Sequence, residues 1–275
     1  MFAFTKRISA ALLAAGLLAG MPSAAMAGVG DLLVAPTRVL LDGRRGSEII
    51  LNNIGDEPAT YRISVELRRM TADGDLVDVS DPNAEEKAAA DMIVYAPRRV
   101  TLAPHEPQSI RIAARPPQGL PDGEYRVHLL FRAIPPSKPV AASDAQSAKG
   151  LSFQLIPVYG VTIPVIVRLG NLEATTAISH VALDKKNGKP VIDVDLGRSG
   201  ARSTFGEVRV LKSGIKDPIA VQKGVAVYTE IGTRHLAIPL DENFKGEVAG
   251  PVTVQYLENS PNGSQKVAET QAVLR

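Results

Sequence analysis

Apolar residues alternate with other residues along most of this chain, and the longest alternating stretch is residues 151–169. Its even-numbered positions are mainly polar or small, with Ile156, Val158 and Ile166 as exceptions. Its odd-numbered positions predict one apolar face of an extended strand: Leu151, Phe153, Leu155, Pro157, Tyr159, Val161, Ile163, Val165 and Val167. Globular strands usually have about 5 to 6 residues. A strand this long exceeds what one domain's core requires, so we expect part of its apolar face to serve another molecule.

Shorter strand patterns, separated by turn signals such as Asp42-Gly43 and Asn187-Gly188, occupy the rest of the chain. Before the long strand they cover residues 37–41, 48–53, 59–70, 92–95, 99–102, 108–114 and 124–134. After it they cover residues 174–183, 191–196, 207–211, 220–228, 234–240, 248–256 and 266–274. This pattern predicts an all-β protein of two immunoglobulin-like β-sandwich domains, residues 28–170 and 171–275.

Two segments depart from the strand pattern. Residues 81–90 favour a short turn of helix, with Asp81 as its cap and Pro82 at its first position. Residues 135–150 are rich in proline and alanine and lack periodicity, so we expect a mobile loop between two long strands.

The N-terminus has the three parts of a secretory signal peptide. Lys6 and Arg7 precede an apolar run over residues 8–19, and Ala25-Met26-Ala27 matches a cleavage site. We expect residues 1–27 to be removed on export. The chain has 31 Lys and Arg against 29 Asp and Glu, so loss of Lys6 and Arg7 makes the two totals equal. A neutral mature chain argues against nucleic acid as a partner.

The sequence offers little for catalysis. Cysteine is absent, which excludes thiol nucleophiles, redox chemistry and thiolate zinc sites. The four histidines, His105, His128, His180 and His235, have no metal or triad spacing. We expect no enzyme, no cofactor, no metal and no small-molecule substrate.

Two motifs resemble ligand loops and are better explained as turns. The cluster Asp73, Asp75, Asp78 and Asp81 lacks the spacing of a calcium loop, and Asp-Gly-Asp favours a turn. Residues 43–47, Gly-Arg-Arg-Gly-Ser, lack the ending of a phosphate loop, and a strand pattern follows them, so we expect a hairpin turn.

Arg38 is the basic residue in the apolar run 37–41. It is either an ordinary solvent-facing residue or a cleft residue whose planar guanidinium receives a ligand's carboxylate.

Several runs together resemble the PapD-like periplasmic pilus-assembly chaperones. Residues 35–43, APTRVLLDG, resemble that family's first strand and turn, and Asn52-Asn53 with Glu57-Pro58 resemble the next turn. Residues 120–136 resemble its long strand, and residues 151–170 its subunit-capping strand. The ending YGVTIPVIVR, residues 159–168, is similar to the archaic, or alternative, branch.

The resemblance implies donor-strand complementation. In that family the capping strand fills the gap in a pilus subunit that lacks its last strand, and the complex is delivered to an outer-membrane usher. The corresponding donor residues here are Leu151, Phe153, Leu155, Pro157 and Tyr159. The subunit would be a partner with an incomplete immunoglobulin-like fold.

The resemblance also implies a basic anchor for the subunit's C-terminal carboxylate. The family uses an arginine of the first strand, which Arg38 matches, and a lysine of the capping strand. Pro164 stands near the position of that lysine, and the strand has no lysine after Lys149. Arg168 is the nearest basic alternative.

A second class of function stays open: an exported adhesive or structural module of two sandwiches, binding carbohydrate through its loops. Such modules usually present aromatic rings to sugars, whereas this chain has no Trp, 6 Tyr and 6 Phe.

Overall fold

The structure is a computed structural model that describes residues 31–135, 158–260 and 263–275. The predicted signal peptide and the predicted loop beyond Pro135 lie outside these residues. Four of the predicted donor residues, Leu151, Phe153, Leu155 and Pro157, also lie outside them, whereas Tyr159 lies inside.

The first half of the chain forms two facing sheets. One contains, in spatial order, β1 (Leu32–Ala35), β3 (Ser47–Asn53), β9 (Pro107–Ala114) and β7 (Ile93–Ala96). The other contains β2 (Val39–Leu41), β11 (Gly160–Leu169), β10 (Gly123–Ile134), β4 (Ala59–Glu66) and β8 (Arg99–Leu102). The strands pair antiparallel except for β2 with β11, which are parallel.

The core of this first sandwich comes from the alternating positions of both sheets. Ile49 and Ile110 face it from one sheet, and Leu129, Phe131 and Val165 face it from the other; all five are fully buried. Strand alternation places every second residue on the inner face, so the period-two pattern of the sequence is the pattern of burial.

The second half forms another pair of sheets. One contains β12 (Ala174–Lys186), β13 (Lys189–Gly200) and β16 (Thr233–Pro239). The other contains β15 (Ala220–Val227), β14 (Thr204–Lys212), β17 (Gly250–Ser260) and β18 (Gly263–Leu274). A separate buried cluster lies between them, with Val208, Val254 and Ile238 among its members.

These sheets confirm the all-β prediction of two sandwiches. The strands up to Leu169 and the strands from Ala174 onward lie in separate sheets. We propose that the domains divide as the sequence suggests, into residues 28–170 and 171–275.

The structure corrects two strand predictions and one turn prediction. The run 37–41 is strand only over Val39–Leu41, because the chain bends at residues 36–38 and changes sheets between β1 and β2. The turn at residues 43–47 is therefore not a hairpin turn, since β2 and β3 lie in different sheets. The run 59–70 is also divided: β4 ends at Glu66, and β5 (Arg68–Met70) pairs with β6 (Leu76–Asp78) in a small hairpin. Its turn contains Asp73, as predicted.

The helix begins later than predicted and has a different cap. Helix α1 spans Ala84–Asp91, and Asn83 is its N-cap, not Asp81. The Asn83 side chain accepts from the Glu86 N–H, and the Glu86 side chain accepts from the Asn83 N–H, both over 2.8 Å. This reciprocal capping box satisfies two N–H groups at once, which a cap at Asp81 could not do.

Candidate functional site

The apolar stripe of odd-numbered residues on β11 begins in the core of the first sandwich and leaves it toward the start of the strand. Val167, Val165 and Ile163 are 1%, 0% and 2% exposed. Val161 is partly buried against the same core, and Tyr159 is 58% exposed. The stripe therefore extends beyond the part that this sandwich covers.

One edge of β11 is open at the same end. β10 pairs with all of β11, and the Ala133 N–H donates to the Tyr159 C=O over 2.9 Å beyond that ladder. On the other side β2 pairs only with residues 165–167, and on that side no strand within the described ranges pairs with residues 160–164.

The open edge carries usable backbone groups. The backbone C=O of Tyr159 points toward β10. Backbone groups alternate in direction along a strand, so the N–H and C=O groups of the even-numbered residues of β11 point to the open side. Pro164 is tolerated here because its missing N–H would point away from β10. An open edge of this kind can receive an added strand.

Exposed apolar side chains border this edge. Val158 is 42% exposed, and Leu40, on the outer face of β2, is 52% exposed. Leu40 stands opposite Ile166 in the β2–β11 pairing. Together with Tyr159, they give an added strand apolar surface to bury.

Arg38 stands directly before β2, where the first sandwich meets the second. Its Nη2 donates to Ser203 Oγ over 3.3 Å. Its guanidinium carbon lies 4.7 Å from the ring centre of Phe205 and 5.7 Å from that of Tyr228. The two rings come from the second sandwich, so the Arg38 pocket, formed by Ser203, Phe205 and Tyr228, belongs to both.

In the described part of the chain, no carboxylate forms an ion pair with Arg38. Its Nη1 is buried without a hydrogen-bond partner among the described residues, none of which forms an ion pair with it. Burial lowers the pKa of the Arg38 guanidinium, because a charged group loses hydration in the interior. A buried cation without a counter-ion is suited to receive a ligand's carboxylate.

Arg168, the predicted alternative anchor, is already paired. Its Nε donates to Glu124 Oε2 over 2.9 Å, and its Nη2 donates to the Ser203 C=O over 3.0 Å. The Ser203 N–H donates to the same Glu124 oxygen over 3.0 Å. These contacts hold Ser203 beside Arg38. The role of Arg168 as a second anchor stays a prediction.

The basic residues of a neighbouring cavity have ion-pair partners. A cavity of about 400 Å³ opens on the α1 side of the junction. Its basic residues form ion pairs at 2.8, 2.6 and 2.5 Å: Arg68 with Glu66, Arg69 with Glu86, and Arg126 with Glu230. This cavity therefore has no free positive charge comparable to that of Arg38.

A small apolar cluster fixes the position of the second sandwich. Met70, Ile166, Ala226 and Tyr228 are buried in it. Ile166 is one of the apolar exceptions on the even-numbered face of the long strand, and its burial against the second sandwich explains it. The Arg126 guanidinium carbon lies 3.7 Å from the ring centre of Tyr228.

The site contains residues that sequence reasoning missed. Ser203, Phe205 and Tyr228 are distant from Arg38 in the sequence, and no motif marks them. The sequence also gives no sign that His128, which lies next to Val127 on β10, is a buried residue. It is 1% exposed, neither ring nitrogen has a hydrogen-bond partner in the described part of the chain, and its ring meets that of Tyr228 edge-on.

The described residues contain no group of three or more His, Asp or Glu placed to hold a metal ion. Within the same ranges, no helix has the length and apolar character needed to cross a membrane.

Comparison with solved structures finds chaperones of similar length. The chaperone YadV aligns over 89% of this chain and 100% of its own, with 13% identity and a TM-score of 0.47. The Pseudomonas aeruginosa chaperone CupB2 aligns over 88% and 100%, with 14% identity and a TM-score of 0.48. The E. coli chaperone DraB aligns over 90% and 98%, with 15% identity and a TM-score of 0.48.

No family model matches the chain, and no curated protein matches it. The structural similarities are too low to carry a functional argument, so the function is inferred from the chain's own residues.

Proposed function

We propose that this protein is an exported, non-enzymatic chaperone that binds incomplete immunoglobulin-like pilus subunits by donor-strand complementation. The observation that carries the proposal is the apolar stripe of β11, which leaves its own core at Val161 beside an unpaired strand edge. A client strand that pairs with residues 158–164 would satisfy the open backbone groups and cover the stripe.

The donor segment of the proposal is residues 151–159, which continue the stripe in the sequence. Burying the five side chains Leu151, Phe153, Leu155, Pro157 and Tyr159 contributes about 2 kcal/mol each, or roughly 10 kcal/mol in all, before the costs of association. A complex of that strength can survive transit without a hydrolysed cofactor. Exchange with another subunit's strand then releases the client.

Arg38 fixes the register of the client. A subunit whose last strand runs along the open edge would place its C-terminal carboxylate in the Arg38 pocket, where Nη1 has no partner. The charge-assisted contact stabilises one alignment over those shifted by a residue, which would bury the carboxylate unpaired.

The proposed location is the periplasm, reached through removal of residues 1–27, and the proposed second partner is the outer-membrane usher that receives the subunit. Both follow from the resemblance of the chain to pilus-assembly chaperones and from the three-part N-terminal segment.

A pair of double variants tests the proposal. Phe153→Asp with Leu155→Asp places charges on the odd face, whereas the control, Ser152→Asp with Gln154→Asp, places the same charges on the even face. We expect the odd-face variant to lose capture of a co-expressed incomplete subunit, with an unchanged melting temperature, and the control to keep capture. Unfolding of the odd-face variant alone would assign these side chains to the protein's own core and refute the proposal.

A further inference from the structure

His128 is a polar side chain in a buried position on β10. It is 1% exposed, and its Nδ1 and Nε2 both lack a hydrogen-bond partner within the described residues. Buried polar groups in proteins are almost always hydrogen-bonded, and an unpaired one destabilises the free protein. A ligand that supplied the missing partner would therefore be favoured.

The sheet register places His128 in one row with Arg38. Val39 pairs with Val165, so the residues before them, Arg38 and Pro164, stand next to each other. Pro164 pairs on its other side with His128. Because adjacent strands are about 4.8 Å apart, the Cα atoms of Arg38 and His128 are separated by two strand spacings, about 10 Å.

Pro164 lies between Arg38 and His128 in this row, where a second hydrogen-bond donor for a carboxylate would be expected. Pro164 has no polar side-chain atom and no N–H, so it offers an incoming carboxylate nothing. Arg38 and His128 flank it on the outer face of the sheet, and both lie against Tyr228, whose ring centre is 5.7 Å from the Arg38 guanidinium carbon and 6.5 Å from the His128 ring centre.

The groups that face His128 are mostly cationic. Arg126 comes from its own strand, Arg68 from β5 and Arg38 from the start of β2, and Glu66 is its cross-strand partner on β4, already paired with Arg68. Burial and the three arginines lower the pKa of His128 to about 3. In the free protein the ring is therefore neutral at any pH from about 5 upward.

We propose that His128 is the second anchor for the carboxylate that Arg38 receives, and that it takes up one proton from solvent when the carboxylate arrives. This rests on the proposed function. Glu66, the acidic residue beside the ring, is already paired with Arg68, so the incoming carboxylate supplies the negative charge with which the protonated ring forms an ion pair and a hydrogen bond. The step is a proton transfer: a second ring N–H bond forms as solvent gives up the proton, and the transfer is reversed on release.

The sign of the pH dependence follows. Since the ring gains a proton on binding, affinity for a carboxylate rises as the pH falls from about 8 toward 5. An α-carboxyl group titrates near pH 3.5, so the ligand itself stays charged over that range.

The test uses two synthetic peptides of the same alternating valine and threonine sequence, one ending in a carboxylate and the other in an amide. Calorimetry at pH 6 in two buffers of different ionisation enthalpy measures both affinity and proton uptake. We expect the full-length protein to prefer the carboxylate peptide and to take up a measurable fraction of one proton with it, but not with the amide.

His128→Gln keeps a neutral hydrogen-bonding side chain. It should abolish the proton uptake and reduce the preference for the carboxylate peptide over the amide peptide by about tenfold. The matched control, His235→Gln, removes an exposed histidine of the second sandwich and should change neither quantity. A melting curve establishes that each variant is folded.

The outcomes separate the two proposals. Full preference and proton uptake in His128→Gln would refute the role of His128 and leave the Arg38 pocket intact. If the unaltered protein prefers the carboxylate peptide but takes up no proton with it, that result alone refutes the role of His128. Equal binding of both peptides by the unaltered protein would refute this inference and the Arg38 carboxylate pocket together.

Discussion

Replacing Arg38 by alanine should weaken client capture strongly and change the stability of the free protein little. In the free protein the substitution removes one hydrogen bond to Ser203 and the contacts with two aromatic rings, together worth about 2 kcal/mol. It also removes a buried, unpartnered Nη1, whose desolvation costs about 1–3 kcal/mol. The two contributions nearly offset each other.

In the complex the loss of Arg38 has no offsetting gain, because the guanidinium would be paired with the client's carboxylate there. The substitution therefore only weakens binding. A charge-assisted contact of this kind contributes about 3 kcal/mol, so loss of Arg38 should raise the Kd for a client by roughly 100-fold. Arg38→Lys keeps the charge but loses the planar fork, and we expect an intermediate loss of about tenfold.

The assay compares Kd and melting temperature for the same variants. A purified incomplete subunit, kept soluble in denaturant and diluted into chaperone, gives the Kd by fluorescence anisotropy. Arg44→Ala is the matched control, since Arg44 is exposed on the turn after β2. An unchanged Kd for Arg38→Ala would refute the carboxylate pocket, and a fall in melting temperature of more than about 10 °C would assign Arg38 a structural role.

Three further predictions concern the scaffold of the site. Glu230→Gln removes the partner of the nearly buried Arg126 and should destabilise the junction by about 3 kcal/mol, seen as a lower urea midpoint and a changed scattering profile; an unchanged midpoint would contradict this. Gly206→Ala would place its Cβ 1.9 Å from a backbone oxygen of β17, so the second sandwich should lose about 3 kcal/mol in thermal unfolding. A hydrogen bond from Arg69 lowers the pKa of Glu86 below its usual 4.5. The contribution of the ionised Glu86 to the stability of α1 is therefore present above pH 4.5 and is lost as the pH falls below it. Hydrogen exchange of α1 should show this loss in the unaltered protein and not in Glu86→Gln.

The sequence pattern predicted the strands well because a sandwich buries every second residue of each strand. β10 and the described part of β11 alternate as expected, and the odd-numbered residues of β11 face the core. The breaks in strands were not predicted. The bend at Pro36 and the end of β4 depend on which sheet the next segment joins, and this is decided by packing against distant residues.

The site could be predicted only in part, for a similar reason. Arg38 was recognised as a candidate because arginine is unusual in an apolar run. Its pocket was not, since Ser203, Phe205 and Tyr228 reach it only through the docking of the second sandwich. The pairing of Arg168 with Glu124 is set by the register of two strands, which periodicity alone does not fix.

The most direct test is the structure of the chain in complex with an incomplete pilus subunit. The account predicts a client strand paired with the open edge of β11, odd-numbered side chains of residues 151–159 inside the client, and the client's terminal carboxylate within hydrogen-bonding distance of Arg38. A complex in which residues 151–159 pack within their own sandwich and touch no client would contradict it.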